Sequence, residues 1–570
     1  MSHTSKIFDE VPVKVQNKNG FDLSHLNCGT SKCGQLVPVM CKLLPPNSDF
    51  TLGINMNVEL PPLATSFMGR IDAIVEGFVV PCSMLYGGWK QFISNQQNTM
   101  FPSTQNGVLS SAGGYAIPFV NILKVYQNDY ADFATLLATN DNISEYLGVK
   151  GLDIASGYSG SIATNLSLLP LLAYHLIWDV YYRNKQITKT IFAVNPNVGT
   201  ADGNNTRNVS LIWHSFYANY ANAANAESAD FTTQITGSTI NGALSFPDGI
   251  SVFSTRQRNY ARDYFTAGTP SPQQGNASKL VFDTSGANGE FTINALRAAN
   301  SLQKFLETNN LSGDYADMMR NRWGTRPIDA DFDEPYYLGR VVLPVYQKSV
   351  YQSVDDTSGG GTGSPNPFVA NGALGARGAH AGFSGEGSIC DKFHNSTWSY
   401  VMCLFSLVPH AMYGYGINRE LTMLQIGDFP APELQSIGNE AIHSNELYFA
   451  ETVFDGDVFA YIPRYSRFKY MDDEVHGELR PGKTLDSFVL QRVFSKPLAG
   501  MTLATSFLEI SQDALDDVFA VSTSQMNLSC WYEIFFEFKV SMPLADFCIP
   551  TLGDIQDTHT IKSKQGGSRL

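Results

Sequence analysis

The chain of 570 residues is roughly twice as long as a single hydrophobic core supports, so it holds either several domains or one domain with large insertions. Charged residues make up only 16% against 43% hydrophobic, which predicts that partner subunits cover part of the surface. The net charge of −15 excludes a protein that coats nucleic acid unaided, because phosphate binding draws on clustered Lys and Arg.

Aromatics at 12%, with 48 Gly and 27 Pro, fit short strands joined by turns and long loops. Residues 1–30 are polar and aperiodic, and read as an N-terminal arm that a neighbour must order. The start, MSHTSKIFDE, has no apolar run, and the eight Cys are scattered, so a reducing cytoplasm without disulfides is expected. Residues 31–82 carry strand-like runs, GQLVPVMCKLLPPNSDFTLGI and IDAIVEGFVVP, punctuated by prolines. They predict the first strands of a sandwich.

Residues 83–397 read as insertions with interspersed strands. Helices are expected over 82–98 and 165–183, the second placing Leu168, Leu172, Leu176 and Tyr182 near Trp178 with Pro170 in its first turn. Residues 190–255 are rich in Asn, Ala, Ser, Thr and Gly and predict a surface excursion. A third helix follows Thr292 as N-cap and aligns Leu296, Ala299, Gln303 and Leu306 in one stripe. Residues 353–390 form a Gly and Ser tract expected to be loop, or ordered only by contact.

Later strands are expected within 398–550. Tyr400 to Val408 is a buried-type run, too short for a bilayer span of ~20 residues. In FFEFKVSM, Phe536, Phe538, Val540 and Met542 alternate with polar residues, which predicts a half-buried strand. Strand material thus lies near both ends of the chain, so the sheets pair distant residues, as in a Greek-key or jelly-roll sandwich.

Four segments invite chemistry. GELRPGKT, Gly477 to Thr484, matches the phosphate-loop spacing, but MDDEVH stands where a buried strand should lead in; a charged turn is expected. Asp329, Asp331 and Asp333 alternate as in a calcium loop, yet Glu334 replaces the turn glycine and Arg340 the bidentate Glu. Cys28 and Cys33, near His25 and Cys41, lack the second pair that completes a zinc site. The tail, residues 551–570, carries Lys562, Lys564 and Arg569 and is either solvated or turned inward onto DNA phosphates. No metal, cofactor or catalytic constellation is expected. Composition alone also permits a β-sandwich carbohydrate-binding protein, and the one loop match a nucleotide hydrolase.

Several strings occur in one order along the chain. Phe21, Ser24 and His25 in FDLSH precede GQLVPVMCKLLPPNSDFTL, and Phe78, Val80, Pro81, Leu85, Trp89 and Phe92 follow in a strand-then-helix segment. LPLLAYHLIWDVYYR leads to RDYFTAGTPSPQQG, with Asp263, Tyr264, Phe265, Thr266, Pro270, Pro272, Gln273 and Gly275. FTINALRAANSLQKFLE, EPYYLGR, GNEAIHSNELYF, VFAYIPRYSRFKY and TLDSFVLQRVF complete the series, with Phe459, Tyr461, Arg464, Tyr465 and Tyr470 in the fourth. This series resembles the major capsid proteins of the Microviridae, especially the gokushovirus-like branch.

The resemblance implies a mainly β fold: one jelly roll, an eight-stranded antiparallel sandwich with large helical and loop insertions. It further implies a T=1 icosahedral shell of identical copies around circular single-stranded DNA, assembled in the bacterial cytoplasm and found in the virion. Implied partners are a small basic DNA-packaging protein, a minor pilot protein and a host-cell receptor; no membrane insertion is implied. Two departures stand out. Only Asn276 to Glu290 occupies the place of the branch's hypervariable insertion, and FHNSTWSY replaces its Phe-Thr-Glu-His-Gly segment.

Overall fold

Apolar residues at every second position of SDFTLGINMNVE turn Phe50, Leu52, Ile54, Met56 and Val58 to one face and leave Thr51 and Asn55 on the other. This strand belongs to a two-sheet sandwich in the computed structural model. Residues 18–63, 67–85, 141–149, 165–188, 253–273, 293–311, 334–351, 377–449, 457–492, 502–519 and 528–544 are described, with a few short stretches between them.

The principal strands in chain order are β1 (Asn19–Asp22), β2 (His25–Ser31), β3 (Gln35–Leu44), β4 (Ser48–Glu59), β5 (Ile71–Pro81), β6 (Tyr336–Tyr351), β7 (Arg377–Asn395), β8 (Ser399–Pro409), β9 (Asn439–His443), β10 (Val458–Pro463) and β11 (Cys530–Met542). The principal helices are α1 (Leu169–Ile177), continued by a π-helical turn to Tyr182, and α2 (Ile293–Leu311).

β2, with β1 continuing along the same partner, pairs with β11; β11 pairs with β4, and β4 with β7. In the second sheet β3 pairs with β8, β8 with β5, and β5 with β6. All these ladders are antiparallel. If β1 and β2 count as the first of eight strands, one sheet runs first-eighth-third-sixth and the other second-seventh-fourth-fifth. That order is a jelly roll, so the expected fold class holds. β6 joins the sheets: Tyr336 to Val345 lies along β5 and Tyr346 to Tyr351 along β7.

The core between the sheets is built from inward residues of both, including Phe50, Leu52, Val75, Val401, Phe405, Phe536 and Phe538. β5 is buried along its whole length, and β8 at every position but Tyr400. Their second face supplies Phe78, Val80, Met402 and Leu404 to another cluster with α1. A helix over the outer face of the second sheet explains why these strands read as continuous apolar runs.

Three expectations change. Of the arm predicted for residues 1–30, Asn19–Asp22 and His25 onward are strand, because β11 supplies an intrachain ladder for them, while residues 1–17 lie outside the described residues. The Gly-rich tract predicted as loop over 353–390 enters the sheet at Arg377, and the part before it lies outside the described residues. One of its glycines has a packing reason: a Cβ at Gly387 would come within 2.8 Å of the Val341 side chain. The stripe on α2 is only partly inward; Ala299, Gln303 and Leu306 are half-buried, whereas Leu296 is exposed. Of the helix expected over 82–98, Cys82–Leu85 is helical, and most of residues 86–98 lie outside the described residues.

Candidate functional site

The insertions are fastened to the barrel through buried polar groups. Tyr174 on α1 donates its hydroxyl to the carbonyl of Leu36 at 2.9 Å and accepts the backbone N–H of Arg256 at 2.7 Å. Arg256 lies over the Trp178 ring at 4.6 Å, and Trp178 donates to the carbonyl of Gln257 at 3.1 Å. Arg258 binds Glu76 at 2.7 Å and Ser406 at 3.0 Å, while the Tyr182 hydroxyl donates to the same Glu76 oxygen. Burial first, then the Glu76 carboxylate, push the Tyr182 hydroxyl well above its ordinary range, so it remains a donor.

Several of the ordered sequence strings converge on a third apolar cluster, formed by Tyr264, Phe265, Tyr413, Ile442, Phe459 and Phe507 among others. Asp263 organises the turn of RDYFTAG: one carboxylate oxygen accepts the N–H groups of Phe265 at 3.0 Å and Thr266 at 2.7 Å, and the other accepts the Tyr413 hydroxyl at 2.6 Å. Thr269 then exchanges backbone hydrogen bonds with Tyr461 of β10 at 2.7 and 2.8 Å, which docks the segment on the β9–β10 hairpin. Tyr264 reaches Glu446 at 3.0 Å, and Arg419 lies 3.5 Å from that carboxylate. Arg467 pairs with the buried Asp472 at 2.5 Å, yet burial outweighs this partner and pushes the Asp472 carboxyl up to about 6.

These charged groups fasten loops. The phosphate-loop match is a turn: Gly482 donates its N–H to Asp486 at 3.2 Å, Thr484 donates to Glu478 at 3.1 Å, and only a single 3-10 turn, Asp486–Phe488, follows. The N–H that a phosphate would need thus faces a carboxylate. Of the cysteines considered for zinc, Cys33 is buried in the barrel core, Cys28 is exposed on β2 and Cys41 packs against the α1 cluster. Among the described residues no three His, Cys, Asp or Glu side chains form a metal-sized group. Burial pushes the Cys82 and Cys530 thiols up to about 12, so they stay protonated and unreactive. Asp329, Asp331, Asp333, Lys562, Lys564, Arg569 and nearly all of the 190–255 excursion lie outside the described residues.

What stands out on the surface is apolar. Residues 419–437 run through three 3-10 segments, Arg419–Thr422, Ile426–Asp428 and Pro432–Ile437, none of which buries a side chain. Leu421 is 77% exposed, Leu424 87% and Ile426 96%. On the segment that follows β10, Phe468 and Met471 are also exposed. No sequence motif marks this segment; its signal is an aperiodic apolar run around Pro430 and Pro432 that no helix or strand period can bury.

A jelly roll with insertions locked onto its sheet, and with ordered apolar loops facing outward, defines a structural protein built to contact other subunits. The family model for the capsid protein (F protein) matches residues 9–549. The chain is 23% identical to capsid protein VP1 of Chlamydia phage 1, covering 96% of this chain and 97% of that protein. It is 22% identical to capsid protein VP1 of Bdellovibrio phage phiMH2K, covering 88% and 91%. The chain belongs to the capsid protein (F protein) family. It is a structural capsid component of a virion and not an enzyme. Among the described residues no helix is long and apolar enough to cross a membrane.

Proposed function

We propose that copies of this chain close a T=1 icosahedral shell around a circular single-stranded DNA genome, assembling in the bacterial cytoplasm. The observation that carries this reading is the eight-strand jelly-roll order in a chain matched to a capsid family over residues 9–549. In a closed shell each copy presents several complementary patches, and symmetry turns modest contacts into a stable cage.

The charge of −15 sets the partner chemistry. An acidic chain gains little from DNA phosphates, so a small basic packaging protein at the inner surface supplies the counter-charge. A minor pilot protein and a host-surface receptor complete the proposed partners. Lys562, Lys564 and Arg569 are this chain's own proposed contribution to the DNA contact. Expressed protein and native particles, analysed by sedimentation and electron microscopy, are expected to show uniform spherical shells whose native form holds nuclease-protected single-stranded DNA. A stable monomer under all assembly conditions, or native particles lacking any basic component, would count against this reading.

A further inference from the structure

We propose that the surface strap Arg419–Ile437 is an assembly contact that docks on a second copy of this chain. The inference rests on the shell reading above and adds to it the surface that performs the closure.

The strap is held in place although it buries nothing. The Asp428 carboxylate accepts the N–H groups of Leu424 at 3.0 Å and Gln425 at 2.9 Å. Leu421 N–H donates to the Asn418 carbonyl at 2.9 Å, and the Thr422 hydroxyl to the Arg419 carbonyl at 2.7 Å. The strap is tied to the body at its start and again past its middle: Arg419 donates to the Ala441 carbonyl at 2.7 Å, and Ala431 N–H donates to the Tyr465 hydroxyl at 3.2 Å. Pro430 and Pro432 fix two further backbone angles. Apolar side chains displayed on backbone that is already ordered lose little further entropy on docking.

Area and charge both point to a copy of the same chain. Leu421, Leu424, Ile426, Phe429 and Ile437 are all more than half exposed. Together they offer roughly 600–800 Å², above the few hundred Å² usual for a monomer and close to the ~800 Å² per partner of a stable contact. The strap carries exposed acids at Glu420, Asp428 and Glu433, and the adjoining segment an exposed cation, Lys469, while Arg464 is half-buried over the Tyr465 ring. Under a two-fold rotation Glu420 or Glu433 of one copy would face Lys469 of the other, around the apolar centre.

The test compares wild type with Leu424→Asp and Ile426→Asp, singly and together, by sedimentation velocity under conditions in which wild type forms particles. Both positions are exposed, so the melting temperature of the subunit is expected to stay unchanged, while particle yield is expected to fall at least about tenfold. In parallel, Ile426→Cys particles treated with a short bis-maleimide are expected to give a chain-to-chain cross-linked dimer beyond the wild-type background from the exposed Cys28. Particles from the double Asp variant at wild-type yield would overturn the proposal, as would cross-links from the Ile426→Cys thiol formed solely to a different protein. Failure of wild type itself to form particles would instead refute the shell reading.

Discussion

Glu76 on β5 and Arg258, which follows the short strand Arg256–Gln257, meet at 2.7 Å with side chains only 9% and 15% exposed. The pair joins the outer face of the second sheet to the inserted segment, and Tyr182 completes it from the turn after α1. Arg258→Ala leaves the carboxylate buried without its cation and is expected to cost about 3–5 kcal/mol. Chemical unfolding of the unassembled subunit measures this. Combining Arg258→Met with Glu76→Gln removes both charges and should recover a substantial part of the loss. A loss below about 1 kcal/mol for Arg258→Ala would mean that the insertion is held elsewhere.

The difference between legible and illegible parts of this fold follows the same contacts. Phe536, Phe538, Val540 and Met542 are readable as one face of a strand because the opposite face of β11 meets no second layer and stays polar or exposed. Tyr400 to Val408 is readable as buried, but not which layers bury it, since α1 covers the far face from a distance in sequence of more than two hundred residues. β7 reads as loop because its place in the sheet comes from backbone pairing with β4, and Gly382, Gly385 and Gly387 contribute no side-chain period. The strap carries no motif, and its one sequence signal is an aperiodic apolar run around Pro430 and Pro432. Its function-bearing property is exposure, which emerges only once every neighbouring element has been placed.

Gly339 lies at the bulge where β6 shifts register against β5, with φ of 153°. A Cβ there would come within 2.4 Å of the Ile389 carbonyl oxygen on β7, and a backbone atom in a sheet cannot step aside as a side chain can. Gly339→Ala is expected to destabilise the subunit by about 2 kcal/mol or more, seen as a lower melting temperature and reduced soluble yield. Gly20→Ala serves as the comparison, because nothing lies within 4 Å of a Cβ at that position. Equal melting temperatures for the two variants would contradict this account of the bulge.

Asp472 makes stability depend on acidity in an unusual direction. Its carboxyl is raised to about 6 in the fold by burial, from 3.8 in the unfolded chain, despite the opposing pull of Arg467. Between those values the folded state binds more protons than the unfolded state, so its contribution is fully present below 3.8 and is lost as pH rises through about 6. Other carboxylates titrate in the same range, so the informative quantity is the difference between wild type and Asp472→Asn. Across pH 4 to 7, wild type should lose stability relative to the variant as pH rises. Parallel melting-temperature profiles would show that the folded-state carboxyl is not raised.

Lys483 stands where a phosphate-loop lysine would stand, but the turn around it is closed on its own carboxylates, Asp486 and Glu478. Lys483→Ala is therefore expected to assemble with wild-type yield, and ATP with magnesium should not shift the melting temperature of either protein. A nucleotide-dependent shift in wild type that the variant loses would reopen the nucleotide reading.

The tail offers a quantitative test of how this chain meets DNA. Each phosphate contact on a single strand contributes a slope of about 0.7 to the dependence of log affinity on log salt. Neutralising Lys562, Lys564 and Arg569 together, each to Gln, should therefore flatten that slope by about 2 if all three lie on phosphates. Anisotropy titrations of a fluorescent single-stranded oligonucleotide with unassembled protein give the value, and particle formation reports whether the tail also serves closure. An unchanged slope would assign the tail to solvent. A slope reduced by about 2 would still leave three cations against a chain of net charge −15, too few to hold a genome by themselves, so affinity should rise again when a basic peptide is added. That rise is what separates a shell relying on a basic partner from one whose own tail is sufficient.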